Sequence, residues 1–112
     1  MIDTDIFAEL QELIPSEQWP LMLNSLFAAD SGDVDQLVAC LHRGDRTAIG
    51  DQAHKLKGAS LLMGLSALGQ AAMALENTAR RGQDPIDAND WAQRLQSLAK
   101  ASHEQALALI SA

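Results

Sequence analysis

One histidine in the sequence, His54, lies among residues that could support chemistry. If this stretch is helical, Lys57 lies one turn away on the same flank, and Gly58, at the four-residue spacing, leaves no side chain beside the imidazole. A glycine inside an exposed helix costs about 1 kcal/mol relative to alanine, so Gly58 indicates the close approach of another group. The three residues supply a nucleophile, a cation and a gap that a partner protein could enter.

The stretch that carries His54 has the periodicity of an amphipathic helix. Its apolar positions recur at spacings of three, four and seven, at Ile49, Ala53, Leu56 and Met63. His54 then lies ~100° around the helix from this stripe, at the edge of the buried face. Asp45 is the candidate cap at the start of this helix, and Gly64 is its predicted end.

Amphipathic segments on both sides of this helix predict an all-α fold. The predicted segments are residues 3–14, 16–43, 45–64, 65–82 and, after a loop at 83–87, 91–110. Asp3 or Asp5 begins the first segment, Ser16 caps the second, and Gly32 is a point where the second can bend. Short connections favour an antiparallel up-down-up-down four-helix bundle with a short additional N-terminal helix, in a single domain over residues 1–112.

Composition and charge exclude several classes of function. The formal net charge of −7 argues against binding a nucleic-acid backbone, which requires clustered lysine and arginine. The apolar runs are far shorter than the ~20 residues that span a bilayer, so we expect no membrane insertion. The lone Cys40 cannot form an internal disulfide and fits a reducing compartment. The sequence therefore predicts a soluble, cytoplasmic protein.

The spacing of eight residues is similar to the pattern of a known family. These residues are Ala53, His54, Leu56, Lys57, Gly58, Gly64, Leu75 and Glu76. An Ala-His-x-Leu-Lys-Gly core, a second glycine six residues on and a Leu-Glu pair on the following helix resemble the histidine-containing phosphotransfer (HPt) domains of multistep phosphorelays. The resemblance covers nearly the whole chain and implies a phosphorelay intermediate.

The resemblance also implies roles for individual residues. His54 would accept a phosphoryl group from a receiver-domain aspartate and pass it to another receiver aspartate, while Lys57 would stabilise charge on the phosphoryl oxygens. Glu76 would be the polar residue close to the active histidine, and Arg80 or Arg81 could add a phosphate contact. The predicted binding residues are Gly58, Leu61, Leu62, Gly64, Glu76 and Arg80.

Leu61 departs from the family pattern, in which a small residue, often glycine, is common seven positions after the histidine. Leu61 shares the flank of His54 in the predicted helix. It could enlarge an apolar docking patch with Leu62, or it could narrow the choice of partner.

No cofactor is predicted for the chain itself. Asp30, Asp33 and Asp35 have part of a calcium-loop pattern but lack the spacing of its glycine and terminal glutamate, so they are interpreted as a solvated face rather than a metal site. The sequence has no glycine-rich nucleotide loop, so an ATP-dependent kinase is not predicted. The resemblance implies that the magnesium needed for transfer is bound by the partner receiver domain. This receiver would belong to a hybrid sensor kinase, a response regulator or both. The chain itself is expected to be a monomer.

Two other functions stay open at this point. A non-catalytic module could bind a receiver and regulate it by occupancy, although docking alone requires neither a nucleophile nor a cation at His54 and Lys57. A dimerisation and phosphoacceptor domain of a sensor kinase is favoured less, because the sequence shows no ATP-binding domain and the predicted bundle needs only one chain. The partner receivers, the direction of phosphate flow and membership of a longer sensor kinase are not fixed by the sequence.

Overall fold

The computed structural model describes residues 2–82 and 85–111, and this part of the chain is helical without strands. Its α-helices are α1 (Thr4–Leu13), α2 (Trp19–Phe27), α3 (Asp33–Arg43), α4 (Arg46–Leu62), α5 (Ser66–Arg81) and α6 (Ala88–Ile110), with a 3-10 turn at Ser16–Gln18. The all-α prediction is confirmed. Within the loop predicted at 83–87, residues 83 and 84 lie outside the described residues, and residues 85–87 lead into α6.

Four of these helices form the bundle that carries the site. Helix α4 packs against α3 and α5, and α6 packs against the same two helices from the other side. Between α4 and α5, Arg46 reaches the carbonyl oxygens of Thr78 and Ala79, whereas Leu61 lies over Gly69. The two helices are therefore antiparallel, as predicted. The core between the helices consists of fully buried side chains that include Leu37, Leu41, Ile49, Leu56, Leu68, Leu75 and Leu95.

The prediction of one long helix over residues 16–43 is wrong, because the chain breaks between α2 and α3. Asp30 adopts a positive φ of 66°, and its N–H donates to Asp35 Oδ2 at 2.8 Å. A Cβ atom at position 32 would lie 2.6 Å from the backbone nitrogen of Ala28, so only the glycine found there fits this turn. The apolar stripe continues across the break, which is why the pattern predicted a single helix.

Two smaller predictions about this region are also wrong. Ser16 caps no α-helix: it opens the 3-10 turn, and α2 begins at Trp19 without a side-chain cap. Asp33 is not on a solvated face but is buried, with its carboxylate 3.3 Å from Lys55 Nζ and its carbonyl oxygen accepting from Gln52. Contacts from α4 thus cover Asp33.

The ends of α4 are as predicted. The Asp45 carboxylate accepts from the N–H groups of Thr47 and Ala48 at 3.1 and 3.2 Å, which satisfies donors that the first helical turn leaves free. At the other end, Gly64 has a φ of +76°, and its carbonyl oxygen accepts from Asp3 N–H at 2.7 Å. The local sequence thus sets the length of α4 and ties its end to α1.

Candidate functional site

His54 lies in the middle of α4 on an exposed helix face. Its side chain is 62% exposed, whereas the neighbouring Ala53 and Leu56 are fully buried and fix the rotation of the helix. Gly50 and Gly58 lie one turn before and one turn after His54 on the same face. The imidazole is therefore accessible from solvent, and Gly58 leaves open space one turn further along the helix.

Glu76 of α5 is the centre of the polar contacts around the imidazole. Its side chain is only 9% exposed, and its two carboxylate oxygens contact three side chains. Oε2 lies 2.9 Å from His54 Nδ1 and 3.0 Å from Arg80 Nε, and Oε1 lies 3.0 Å from Lys57 Nζ. The sequence placed Glu76 near His54 and paired it with Arg80, but it did not predict that the three side chains meet at one carboxylate.

The contact between Glu76 and His54 determines the proton position on the imidazole. The hydrogen bond from Lys57 has the largest effect on the Glu76 carboxyl and lowers its pKa. Burial raises that pKa, but further hydrogen bonds from Arg80 and His54 lower it, so that it falls to about 2. An ionised carboxylate can only accept a hydrogen bond, so Nδ1 must carry the proton. In the neutral ring Nε2 then holds the lone pair, and no group in the described part of the chain bonds it.

Arg80 links Glu76 to the beginning of the exposed face of α4. The carboxylate of Glu76 raises the pKa of the Arg80 guanidinium, with a smaller contribution from Asp51. The guanidinium also lies 3.4 Å from both Asp51 Oδ1 and the carbonyl oxygen of Gly50. Of the two arginines considered from the sequence, Arg80 rather than Arg81 is the one that the structure brings to the site.

The two glycines beside His54 serve different purposes. A Cβ atom at Gly50 would lie 3.3 Å from Arg80 Nη1, so this glycine lets the guanidinium pack against α4. A Cβ atom at Gly58 would meet no other atom of the described residues within 4 Å, so the space above Gly58 is open. Sequence reasoning missed Gly50 and Asp51, although a second glycine four residues before the histidine was a visible signal.

Of the remaining predicted site residues, Lys57 lies beside the imidazole, whereas Gly64 lies away from it at the end of α4. Lys57 is 24% exposed and binds the same carboxylate as His54, which places its ammonium beside the ring. Leu61 and Leu62 are 41% and 71% exposed on the part of α4 that follows Gly58. Gly64 is buried against Ile6 of α1 and therefore acts at the end of α4, away from the imidazole.

Among the described residues, the other histidines and the acidic side chains form no second site of this kind. His103 stacks on Phe27 at a ring distance of 4.6 Å, where α2 meets α6, and His42 is exposed in the last turn of α3. Within residues 2–82 and 85–111, no group of three or more histidine, cysteine or acidic side chains is arranged to hold a metal ion. No helix of the same residues is long and apolar enough to cross a membrane.

Comparison with known proteins agrees with this geometry. The family model described as the Hpt domain matches residues 5–105. The crystal structure of histidine-containing phosphotransfer protein B from Pseudomonas aeruginosa PAO1 is similar to this chain with a TM-score of 0.82 and 25% sequence identity, over 98% of this chain and 94% of that one. The comparison with curated protein sequences gives no significant match.

Proposed function

Since this chain belongs to the Hpt domain family and is thus a phosphotransfer module of phosphorelay signalling, we propose that His54 accepts a phosphoryl group from a receiver aspartate. His54 then passes this group to the aspartate of another receiver. The observation that carries the proposal is the 2.9 Å contact between His54 Nδ1 and Glu76, which leaves Nε2 as the free nucleophile on an exposed ring.

In the proposed step, the lone pair of Nε2 attacks the phosphorus of the aspartyl phosphate. The new bond joins Nε2 to phosphorus, the bond between phosphorus and the aspartate oxygen breaks, and the aspartate leaves as a carboxylate. The ring gains positive charge while it keeps its proton on Nδ1, and the adjacent carboxylate of Glu76 stabilises that charge. The reverse step lets the ring leave as a neutral imidazole, so the same contact supports transfer in both directions.

In this proposal, Lys57 stabilises the moving phosphoryl group. Its ammonium contacts Glu76 at 3.0 Å, and its exposed fraction of 24% leaves it access to a group bound on His54. Because Arg80 and His54 also donate to Glu76, that carboxylate keeps two partners if Lys57 turns toward phosphoryl oxygens. Arg80 holds Glu76 in place and, with an exposed fraction of 50%, can add charge at the rim of the site.

The surface around His54 fits approach by a receiver domain. Gly58 leaves open space one turn from the imidazole, and the exposed Leu61 and Leu62 follow it. The receiver would bring the aspartate and the magnesium ion needed for transfer, so this chain supplies the nucleophile and the charges around it. The bundle closes within one chain, which supports action as a monomer.

Radiolabelled phosphate tests the proposal directly. Isolated receiver domains are phosphorylated with labelled acetyl phosphate, freed of donor and mixed with the wild type, the His54→Gln variant and the His42→Gln variant. His42 is a matched control because it is exposed on the neighbouring helix α3. We expect label on the wild type and on His42→Gln only, in an acid-labile and alkali-stable linkage. Label on His54→Gln, or none on the wild type from any receiver, would overturn the proposal.

A further inference from the structure

Leu61 is held in place by an unusual neighbour, Gly69 of α5. A Cβ atom at position 69 would lie 2.5 Å from Leu61 Cδ2 and 2.7 Å from its Cγ, so even an alanine there would displace the leucine side chain. Gly69 lies inside a helix without a positive φ, and its backbone conformation is open to any residue. The glycine is therefore needed for the side chain of Leu61 rather than for the backbone.

Any protein that reaches His54 must also cover Leu61. The two residues are seven positions apart on one helix face, which corresponds to about 10 Å along the axis. A specific interface buries about 800 Å² on each partner, which corresponds to a disc of roughly 16 Å radius around its centre. Leu61 therefore lies inside the footprint of a partner centred on the imidazole, and 41% of the residue is still available for contact.

The surface that such a partner meets is a gap followed by a ridge. At Gly58 no side chain covers the helix backbone. One turn further along, the Leu61 side chain projects from the surface where it packs on Gly69. Two further apolar side chains are exposed on the same two helices, Leu62 of α4 (71%) and Met73 of α5 (42%). A bulky or charged side chain opposite the ridge would clash with it or lose its hydration without a partner.

We propose that Leu61, seated on Gly69, is a selectivity-determining residue that favours receivers with a small apolar side chain opposite it. Receivers with a large or charged side chain at that point are disfavoured by the ridge. This inference rests on the proposed function, since it assumes that receivers dock at His54.

The first test compares Leu61→Ala with Leu107→Ala on α6, whose leucine is exposed to nearly the same extent, 43% against 41%. The efficiency of phosphoryl transfer is measured for each variant with a panel of isolated receivers phosphorylated by acetyl phosphate. For Leu61→Ala we expect the best receiver to lose about tenfold, the effect of removing an apolar side chain from a buried contact, and poor receivers to gain. Leu107→Ala should keep the wild-type ranking.

A uniform change across all receivers, or an unchanged ranking, would overturn the selectivity of Leu61. Wild-type transfer would still proceed in that case, so the proposed function would stand. If no receiver phosphorylates the wild type, the proposed function fails and the selectivity proposal fails with it. The two failures are thus distinguished by the wild-type lane of the same experiment.

The second test uses Gly69→Ala, which should displace Leu61 without touching the receiver surface elsewhere. We expect Gly69→Ala to change the receiver ranking in the wild-type background and to have no further effect in the Leu61→Ala background, where the clash is absent. Equal effects of Gly69→Ala in both backgrounds would contradict the coupling between Leu61 and Gly69. If Gly69→Ala alone does not fold, the Leu61→Ala ranking and the folded double variant decide the question.

Discussion

The buried carboxylate of Glu76 gives the site a defined dependence on pH. Its pKa of about 2, against an ordinary value of 4.5, means that the native carboxyl holds a proton less tightly than the unfolded one. The stabilisation that the Glu76 carboxylate gives to the folded state is therefore complete above about pH 5 and is lost as the pH falls toward 2. The difference between the two pKa values corresponds to about 3 kcal/mol of folding free energy at pH 7 and to about 1 kcal/mol at pH 3.

We expect the Glu76→Gln variant to lose this charge-dependent stability. Urea unfolding followed by circular dichroism should show a deficit of about 3 kcal/mol at pH 7 that shrinks to about 1 kcal/mol at pH 3, because the wild-type carboxylate is itself losing its advantage there. Glu104→Gln, at an exposed position on α6, is the matched control and should change little at either pH. A deficit that is the same at both pH values would refute the reasoning.

Two further substitutions separate chemistry from docking at the same site. Gly58→Val should slow transfer mainly by raising the dissociation constant for the receiver, because no described residue occupies the space above Gly58 and the fold can accept the side chain. Normal receiver affinity would contradict this explanation. Lys57→Ala should slow single-turnover transfer at saturating receiver by about 10²-fold, the low end for losing one electrostatic donor, with little change in affinity. The control for Lys57→Ala is Lys55→Ala, which removes a lysine that pairs with Asp33 instead of Glu76. If Lys57→Ala only weakens receiver binding in a salt-dependent way, Lys57 acts in docking rather than in transfer.

The sequence predicted those features of the fold that depend on local chemistry. The extent of α4 follows from its apolar periodicity, the cap at Asp45 and the glycine at position 64, all of which act within a few residues. The break between α2 and α3 was missed because it depends on the tight turn at Asp30 and Gly32, which leaves the apolar stripe intact. Burial of Asp33 was missed because Lys55 and Gln52, which cover it, come from a different helix.

The candidate site also contains some features that the sequence could predict and others that it could not. His54, Lys57 and Gly58 could be found because they share one helix at fixed spacing. The convergence on Glu76 could not, because Glu76 is 22 positions from His54 and the contact exists only once α4 and α5 pack antiparallel. The fit of Leu61 over Gly69 depends on the same packing, and neither residue type alone predicts it.

The central claim is that Glu76 holds the proton on Nδ1 of His54 and so makes Nε2 the phosphoacceptor. Nuclear magnetic resonance of the protein labelled with ¹⁵N in its histidines tests this claim most directly, before and after phosphorylation by a receiver. The account predicts the Nδ1–H tautomer at neutral pH in the free protein and a phosphoryl group on Nε2 afterwards, with the proton still on Nδ1. An Nε2–H tautomer in the free protein, or a phosphoryl group on Nδ1, would contradict it.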